Sequence, residues 1–379
     1  MFVSTKTSHS HDGHRLGLMA VLLLSLLLVS LSASAQTYQV TNLTSDIADI
    51  TGSNPADPNL GNPWGLVASP TSPWWVADNN TGLSTLYNGT GVKQGLVVTI
   101  PSWTGSGTGA PSGIAFNGTS SFQLTPGNPA TFLFDSEDGT VQGWNHTVNP
   151  NTSVIEVNNF GSAVYKGLAL ASANGANYLY ATNFYAGTVD VFDTNFAPHS
   201  FGTNAFVDST IPSGFAPFGI QLIGNDLVVT YAKQDAQKHD DVAGPGNGYV
   251  DIWDTQGNLI ARLQHLIQMD SPWGIALAPS NFGAFSNDLL IGNFGSGAIL
   301  VFNSTAPYNF IGVMLDESDL QLRIDKLWAL EFGNGGSAGP TNTLYFTAGT
   351  FDETYGIFGM ILPTSGQGIA KPFHLTSKK

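Results

Sequence analysis

The chain has 379 residues, a formal net charge of −15, 44 glycines and no cysteine, and only 10% of its residues are charged. Without cysteine there are no disulfides, cysteine nucleophiles or thiolate metal sites. The acidic balance argues against nucleic acid as a partner, because phosphate backbones are held by basic patches. This composition favours a turn-rich, all-β protein with a large buried core.

Residues 1–35 have the pattern of a secretory signal peptide. Lys6 and Arg15 precede an apolar run over residues 16–31, and Ala33-Ser34-Ala35 resembles a cleavage site. The run is shorter than the ~20 residues of a comfortable membrane span, and no comparable run follows it. We therefore predict an exported protein, periplasmic or secreted, with no membrane span in the mature chain. Retention of the segment as an anchor is the alternative.

A short pattern returns six times along the rest of the chain. Its clearest copies read proline, aromatic, glycine, aliphatic, and the glycine position recurs every 48 to 55 residues. The copies lie at residues 62–66, 110–114, 165–168, 216–220, 271–275 and 326–330. This period is typical of propeller blades with four short strands. We predict a six-bladed β-propeller with four-stranded blades over residues 36–365, followed by a C-terminal tail at 366–379.

The strands are marked by alternating apolar and polar residues, most clearly over 188–193 and 249–254. The sixth repeat leaves little chain for a fourth strand, while residues 38–42 belong to no repeat. Pairing this N-terminal segment with the last blade would cover an exposed sheet edge. We therefore predict that the mature N-terminal strand closes the ring, and we expect a monomer.

Further motifs accompany the repeats, at residues 74–78, 137–140, 231–235, 238–241, 292–295 and 332–336. The repeated opening, followed by strands ending in Ala77-Asp78 or Ala181-Thr182-Asn183, resembles NHL-type and gluconolactonase-like six-bladed propellers. With the further motifs, nearly the whole mature chain is more similar to a bacterial family of exported propeller proteins without an assigned function. The resemblance implies the fold and no particular activity.

The loops between the second and third strands of each blade are expected to open on one face, at the channel mouth. Loops on a rigid scaffold commonly carry function, and a propeller channel is a natural pocket. We therefore predict that this face binds a small molecule, a glycan or a protein. The candidate binding residues are Asp78, Asn79, Glu137, Asp138, Asn183, Asp235, Asp241 and Asn293.

The fourth of these loops is the longest and most charged, with 16 residues between Tyr231 and Gly248. Within it, His239 stands beside Asp240, and a neighbouring carboxylate orients an imidazole and raises its basicity. This pattern suits a general base or a metal ligand. The candidate catalytic residues are therefore His239, Asp240 and Lys233. The alternative is a solvated loop whose charges pair weakly with one another.

Oxygen ligands for Ca²⁺ or Mg²⁺ are available from four carboxylates, namely Asp78, Glu137, Asp138 and Asp240. No EF-hand loop or His-Glu-x-x-His motif accompanies them, and Asp138-Gly139 also fits a hairpin turn. The first hypothesis is thus a binding module of unassigned function. The alternative is a divalent-metal-dependent lactonase, hydrolase or lyase of gluconolactonase-like type, so whether the protein is an enzyme stays open.

Four aromatic residues, Trp64, Phe218, Trp273 and Trp328, occupy one position of the repeat. Recurrence at equivalent positions favours packing between blades. A ring of sugar-binding side chains is the alternative.

Overall fold

The structure, a computed structural model, describes residues 1–5, 36–50 and 52–364. These residues form the predicted all-β, six-bladed propeller with four-stranded blades. Most of the predicted signal peptide, residues 6–35, and the predicted tail, residues 366–379, lie outside the described residues. Within the described part of the chain, we find no helix with the length and apolar character of a membrane span.

Each blade is an antiparallel sheet, and strands are numbered in chain order. Blade 1 contains β2 (Pro63–Val67), β3 (Trp74–Asp78), β4 (Leu83–Tyr87) and β5 (Lys93–Thr99). Blade 2 contains β6 (Pro111–Phe116), β9 (Phe132–Ser136), β10 (Thr140–Trp144) and β11 (Val154–Asn158). Blade 3 contains β12 (Tyr165–Ala173), β13 (Ala176–Asn183), β14 (Thr188–Phe192) and β15 (Pro198–His199). A small ribbon, β7 (Gln123–Thr125) with β8 (Asn128–Pro129), lies between β6 and β9 in the chain.

Blades 4 to 6 follow the same order. Blade 4 contains β16 (Phe215–Ile223), β17 (Asp226–Lys233), β18 (Gly248–Trp253) and β19 (Leu259–Arg262). Blade 5 contains β20 (Pro272–Leu277), β21 (Asp288–Asn293), β22 (Ile299–Asn303) and β23 (Phe310–Val313). Blade 6 contains β24 (Leu327–Phe332), β25 (Leu344–Ala348), β26 (Ile357–Pro363) and β1 (Tyr38–Ser45). A single 3-10 turn at Gly283–Phe285 is the one helical element among the described residues.

The N-terminal strand closes the ring, as predicted. Strand β1 is the outer strand of blade 6 and runs antiparallel to β26, with Tyr38 opposite Pro363 and Ser45 opposite Ile357. The Tyr38 side chain is fully buried and stacks on Phe285 of blade 5, with ring centroids 5.7 Å apart. The last edge is thereby paired instead of exposed.

The repeated glycine permits close contact between the inner strands of neighbouring blades. A Cβ added at Gly219 would lie 2.2 Å from the carbonyl oxygen of Trp273, and one at Gly274 would lie 2.4 Å from that of Trp328. Such distances are far below van der Waals contact, so glycine is required at these positions. The pattern found in the sequence is thus the axial packing motif of the propeller.

The repeated aromatic residues pack together at the centre of the ring. Trp64 and Trp328 stack with centroids 3.7 Å apart, and Trp273 meets Trp328 edge-on at 5.7 Å. All are buried, and Phe218 contacts Trp328 from blade 4. This is the packing between blades that the repeat predicted. The channel beside it, lined in part by Trp273, keeps a space of about 30 Å³.

All loops between the second and third strands open on one face. In every blade the start of the inner strand pairs with the end of the second strand, for example Pro63 with Asp78 and Pro217 with Tyr231. The turns that carry the repeat therefore lie beside these loops. We call this end of the molecule the mouth.

Candidate functional site

A buried lysine lies at the mouth. Lys166 is the second residue of β12, at the repeat position that holds an aromatic ring in four other blades. It is 1% exposed, and its Nζ lies 4.9 Å from the ring centroid of Trp64. An ammonium group so far from water requires ionic partners.

Two carboxylates supply those partners. Lys166 Nζ contacts Glu137 Oε1 directly and lies 3.4 Å from Asp240 Oδ1. Burial alone would lower the pKa of Lys166, but the two carboxylates outweigh it and hold that pKa above its usual value. The lysine is therefore a fixed positive charge at the mouth.

Glu137 is positioned from both sides. It begins the loop between β9 and β10, and its second carboxylate oxygen, Oε2, accepts a hydrogen bond of 2.9 Å from Asn79 Nδ2. Asn79 belongs to the corresponding loop of blade 1. The contact to Lys166 comes from blade 3, so three blades converge on this one carboxylate.

The long loop between β17 and β18 brings His239 and Asp240 to the same place. His239 Nδ1 and Asp240 Oδ1 are 2.8 Å apart. The hydrogen bond to Asp240 raises the pKa of His239, and the same bond lowers the pKa of Asp240 to about 2, with Lys166 acting in the same direction. Both side chains are exposed, so the imidazole is available to a ligand and able to titrate.

Glu353 adds a further carboxyl group from blade 6. Burial, and then repulsion by Glu137, raise its pKa to about 7. Its loop contains three successive non-glycine residues with positive φ, Phe351 at 54°, Asp352 at 54° and Glu353 at 63°. A left-handed turn of this kind costs roughly 1–2 kcal/mol per residue, and such strain clusters at functional sites.

A divalent cation would compete with Lys166 for the cluster that Glu137, His239 and Asp240 form. Ligand atoms of Glu137, His239 and Asp240 all lie within 4.8 Å of one another. However, the ammonium group of Lys166 already contacts two of these three side chains, Glu137 and Asp240. A metal ion would have to displace that charge or bind beside it, so we derive no step through Ca²⁺ or Mg²⁺.

A pocket of about 530 Å³ opens beside this cluster, off the propeller axis. Glu137, Asp138, His239 and Gln237 give it a polar side. Its apolar side is formed by three aromatic residues that are 40–54% exposed: Trp103, Phe160 and Tyr185. The volume and the mixture of apolar wall with few polar groups are those of small-molecule sites.

The other predicted site residues have local partners. Asp78 is fully buried, and its Oδ2 accepts hydrogen bonds from the Thr85 backbone and hydroxyl, at 3.0 and 2.8 Å. Burial raises its pKa well above the usual value. Asp138 lines the pocket, but it also accepts bonds from Trp103 N and Thr140 Oγ1. Asp78 thus belongs to the interior of blade 1.

Asn183 and Asn293 shape loops of blades 3 and 5. Asn183 Nδ2 donates to Asp190 Oδ2 at 2.9 Å, and Asn293 Oδ1 accepts from the Asp270 backbone at 2.8 Å. Asp235 Oδ1 accepts the backbone N–H of His239 at 2.9 Å, which holds the long loop in shape.

Asp241 and Lys233 are the remaining predicted site residues of this loop region. Burial raises the pKa of Asp241, while Lys166 opposes that rise from nearby. Lys233 is exposed at the end of β17 and forms no ion pair among the described residues. Asp241 is therefore coupled to Lys166, whereas Lys233 has no ion-pair partner in the part of the chain that the structure describes.

Sequence reasoning did not assign Lys166, Trp103 or Phe160 to the site. Lys166 was visible as the one charged residue at an otherwise mostly aromatic repeat position. Trp103, Phe160 and Tyr185 lie in three loops with no shared motif, and only the fold brings them together.

The fold and the mouth define a propeller with a polar site built from the loops of several blades. The chain is 31% identical to the uncharacterized protein R648 of Acanthamoeba polyphaga mimivirus over 335 residues, 86% of this chain and 79% of that protein. It is 32% identical to the uncharacterized protein L690 of the same virus over 322 residues, 81% of each. The chain belongs to the family of these proteins, whose function is unassigned.

No protein-family model matches the chain. Because these relatives are viral, the resemblance to a bacterial exported family stays a prediction.

Solved structures with the same fold include enzymes. A streptogramin B lyase has a TM-score of 0.50 at 10% identity and covers 88% of this chain and 100% of its own. The virginiamycin B lyase of Staphylococcus aureus has a TM-score of 0.50 at 13% identity, over 86% and 99%. A glucose dehydrogenase has a TM-score of 0.52 at 12% identity, over 85% and 99%. At these identities the similarity shows the fold alone.

Proposed function

We propose that the protein binds a small molecule in the pocket beside the mouth. One observation carries this proposal: a space of about 530 Å³ has exposed aromatic side chains on one side and the Lys166 cluster on the other. Propeller loops are also suited to presenting a fixed site, because the blades hold them in place.

The polar side of the pocket is organised before any ligand arrives. Glu137 is held by Lys166 and Asn79, and His239 is oriented by Asp240. Groups that are already in place lose little conformational entropy on binding, which favours affinity. This organisation supports a specific site more than a solvated loop.

A ligand screen with two matched variants tests the proposal. Thermal-shift screening of a metabolite library against the mature protein should yield ligands whose affinity falls at least about tenfold in Trp103→Ala. Phe351→Ala is the control, because Phe351 is an exposed aromatic residue on the same face that does not line the pocket. Ligands that bind wild type and Trp103→Ala equally well would contradict the proposal.

A second candidate function is acid–base catalysis at the same site. The specific observations are the His239–Asp240 hydrogen bond and, in the mouth loop of blade 6, Glu353, whose pKa of about 7 lies near the working range of a general acid or base. Lactonase, esterase and lyase assays test it. Turnover that is lost in His239→Gln supports an enzyme, and turnover that is unchanged in that variant excludes His239 as its acid or base.

We also propose that the protein acts outside the cytoplasm after removal of residues 1–35. The support is the pattern of Lys6, Arg15, the apolar run and Ala33-Ser34-Ala35. N-terminal sequencing of the exported protein should begin at Gln36. Recovery of the full-length chain from the cytoplasm alone would contradict this.

A further inference from the structure

The aromatic side of the pocket is a wall of three rings, Trp103, Phe160 and Tyr185, two of which stack face to face. Trp103 and Phe160 stack with centroids 3.9 Å apart and planes 14° from parallel. They come from different connections, the chain between β5 and β6 and the chain between β11 and β12. Tyr185 adds a third exposed ring from the loop after β13.

This wall is held in place by hydrogen bonds to the backbone of Trp103. Its N–H donates to Asp138 Oδ2 at 2.7 Å, and its carbonyl accepts from Asn158 Nδ2 at 2.9 Å. Trp103 and Phe160 cover one face of each other, and 40% and 54% of these residues stay exposed to solvent. A ligand that covers these rings buries their apolar surface, and little side-chain entropy is lost because the rings are already held in place.

The charges of the pocket nearly balance one another. Glu137 and Asp240 each contact Lys166, and Asp240 also pairs with His239. A cationic ligand therefore meets one carboxylate of the pocket, Asp138, that has no ion pair among the described residues, while Glu137 and Asp240 already have positive partners. An anionic ligand meets Asp138 and a chain with a net charge of −15. A neutral ligand avoids both the repulsion of an anion and the competition of a cation with Lys166.

The polar groups nevertheless need partners when a ligand excludes water. Carboxylate oxygens accept hydrogen bonds, and the imidazole of His239 can donate or accept. A purely aromatic ligand would leave these groups unpaired, which is costly. The matching ligand has an apolar face and many neutral hydroxyl groups at its rim.

We propose that the ligand is a neutral saccharide. The face of a sugar ring packs on the part of the aromatic wall that the Trp103–Phe160 stack leaves exposed, and its hydroxyl groups bond to Glu137, Asp138 and His239. This inference rests on the proposed function of the pocket and adds the chemical class of its ligand.

Calorimetric titration of the mature protein tests the inference. The probes are neutral cello-, xylo-, manno-, malto- and chito-oligosaccharides, with tetramethylammonium chloride as a cationic probe and indole as an aromatic one. We expect one saccharide series to bind and to lose at least about tenfold in affinity in both Trp103→Ala and Phe160→Ala. Phe351→Ala should bind as wild type.

The outcomes separate the two proposals. Binding of tetramethylammonium or indole at the pocket, without any saccharide, overturns the inference but leaves a small-molecule site. Saccharide binding that both wall variants retain overturns the inference and removes the pocket as the saccharide site. If no probe binds and library screening also finds no ligand sensitive to Trp103→Ala, both proposals fail. Circular dichroism confirms that each variant is folded.

Discussion

Lys166 and Glu137 form a buried ion pair between neighbouring blades at the mouth. Lys166 is the second residue of the inner strand of blade 3, whereas Glu137 follows the second strand of blade 2. The pair fixes both the loop geometry and the charge at the edge of the pocket. Its two members are separated by 29 residues in the chain, so only the stacking of blades makes them neighbours.

Removing the lysine should be strongly destabilising. Lys166→Met leaves Glu137 without its positive partner, and breaking a buried pair in this way costs about 3–5 kcal/mol. The double variant Lys166→Met/Glu137→Gln should recover much of that loss, because the uncompensated charge is gone. Urea denaturation measures both. Lys233→Met is the matched control and should stay within about 0.5 kcal/mol of wild type; an equal loss in the control would refute the role of the pair.

Ring closure should depend on the Tyr38 side chain. Tyr38→Ala removes a fully buried ring that stacks on Phe285, and such truncations cost about 3–5 kcal/mol. Gln39→Ala changes an exposed neighbour on the same strand and should have little effect. Thermal and urea unfolding compare the two. Equal stability of both variants would mean that β1 contributes little to the closed ring.

Stability should fall with rising pH because of a carboxyl group in the channel. Glu331 accepts a hydrogen bond of 3.0 Å from Gln221 Nε2, and burial raises its pKa from 4.5 to about 8. The folded state thus binds the proton more tightly than the unfolded state. The stabilising contribution is complete below pH 4.5 and is lost as pH rises through about 8.

Glu331→Gln isolates this effect. The variant cannot ionise, so its stability relative to wild type should increase between pH 4.5 and 8, by about 1.4 kcal/mol for each unit of the pKa shift. Urea unfolding at a series of pH values gives the difference. A difference that is independent of pH over this range would show that Glu331 is not held in its neutral form.

The His239–Asp240 pair should be visible in a proton titration. The hydrogen bond to Asp240 raises the pKa of His239 above 6.5. In Asp240→Asn the negative charge is lost, so the pKa of His239 should fall. NMR of the labelled imidazole, assigned with His239→Gln, follows both titrations. An identical pKa in wild type and Asp240→Asn would contradict the geometry of the pair.

Much of the fold could be predicted from the sequence because one physical requirement repeats around the ring. Close approach of inner strands favours glycine, so Gly65, Gly113, Gly167, Gly219 and Gly274 mark five blades, and Ala329 holds this position in the sixth. The closure by residues 38–42 followed from counting strands. Both predictions rest on the sequence repeat and on the tendency of proteins to pair or cover the exposed edge of a sheet.

The site could be predicted only in part, because it depends on contacts between blades. The sequence brought His239, Asp240 and Glu137 to one face, but it gave no distance between them. Lys166 was hidden inside the repeat, since a lysine there is buried only if carboxylates from other loops reach it. The left-handed turn that ends at Glu353 has no glycine to signal it.

Fluorine NMR of fluorotryptophan-labelled protein tests most directly whether a ligand occupies the pocket beside the mouth. Trp103 is the one exposed tryptophan, at 40%, while the other seven are each at most 9% exposed. Its resonance can be assigned by its loss in Trp103→Phe. On addition of a ligand that binds the mature protein, we predict that the Trp103 resonance shifts with saturation and that the buried tryptophans far from the pocket stay unchanged. Saturable binding without any shift at Trp103 would contradict the account.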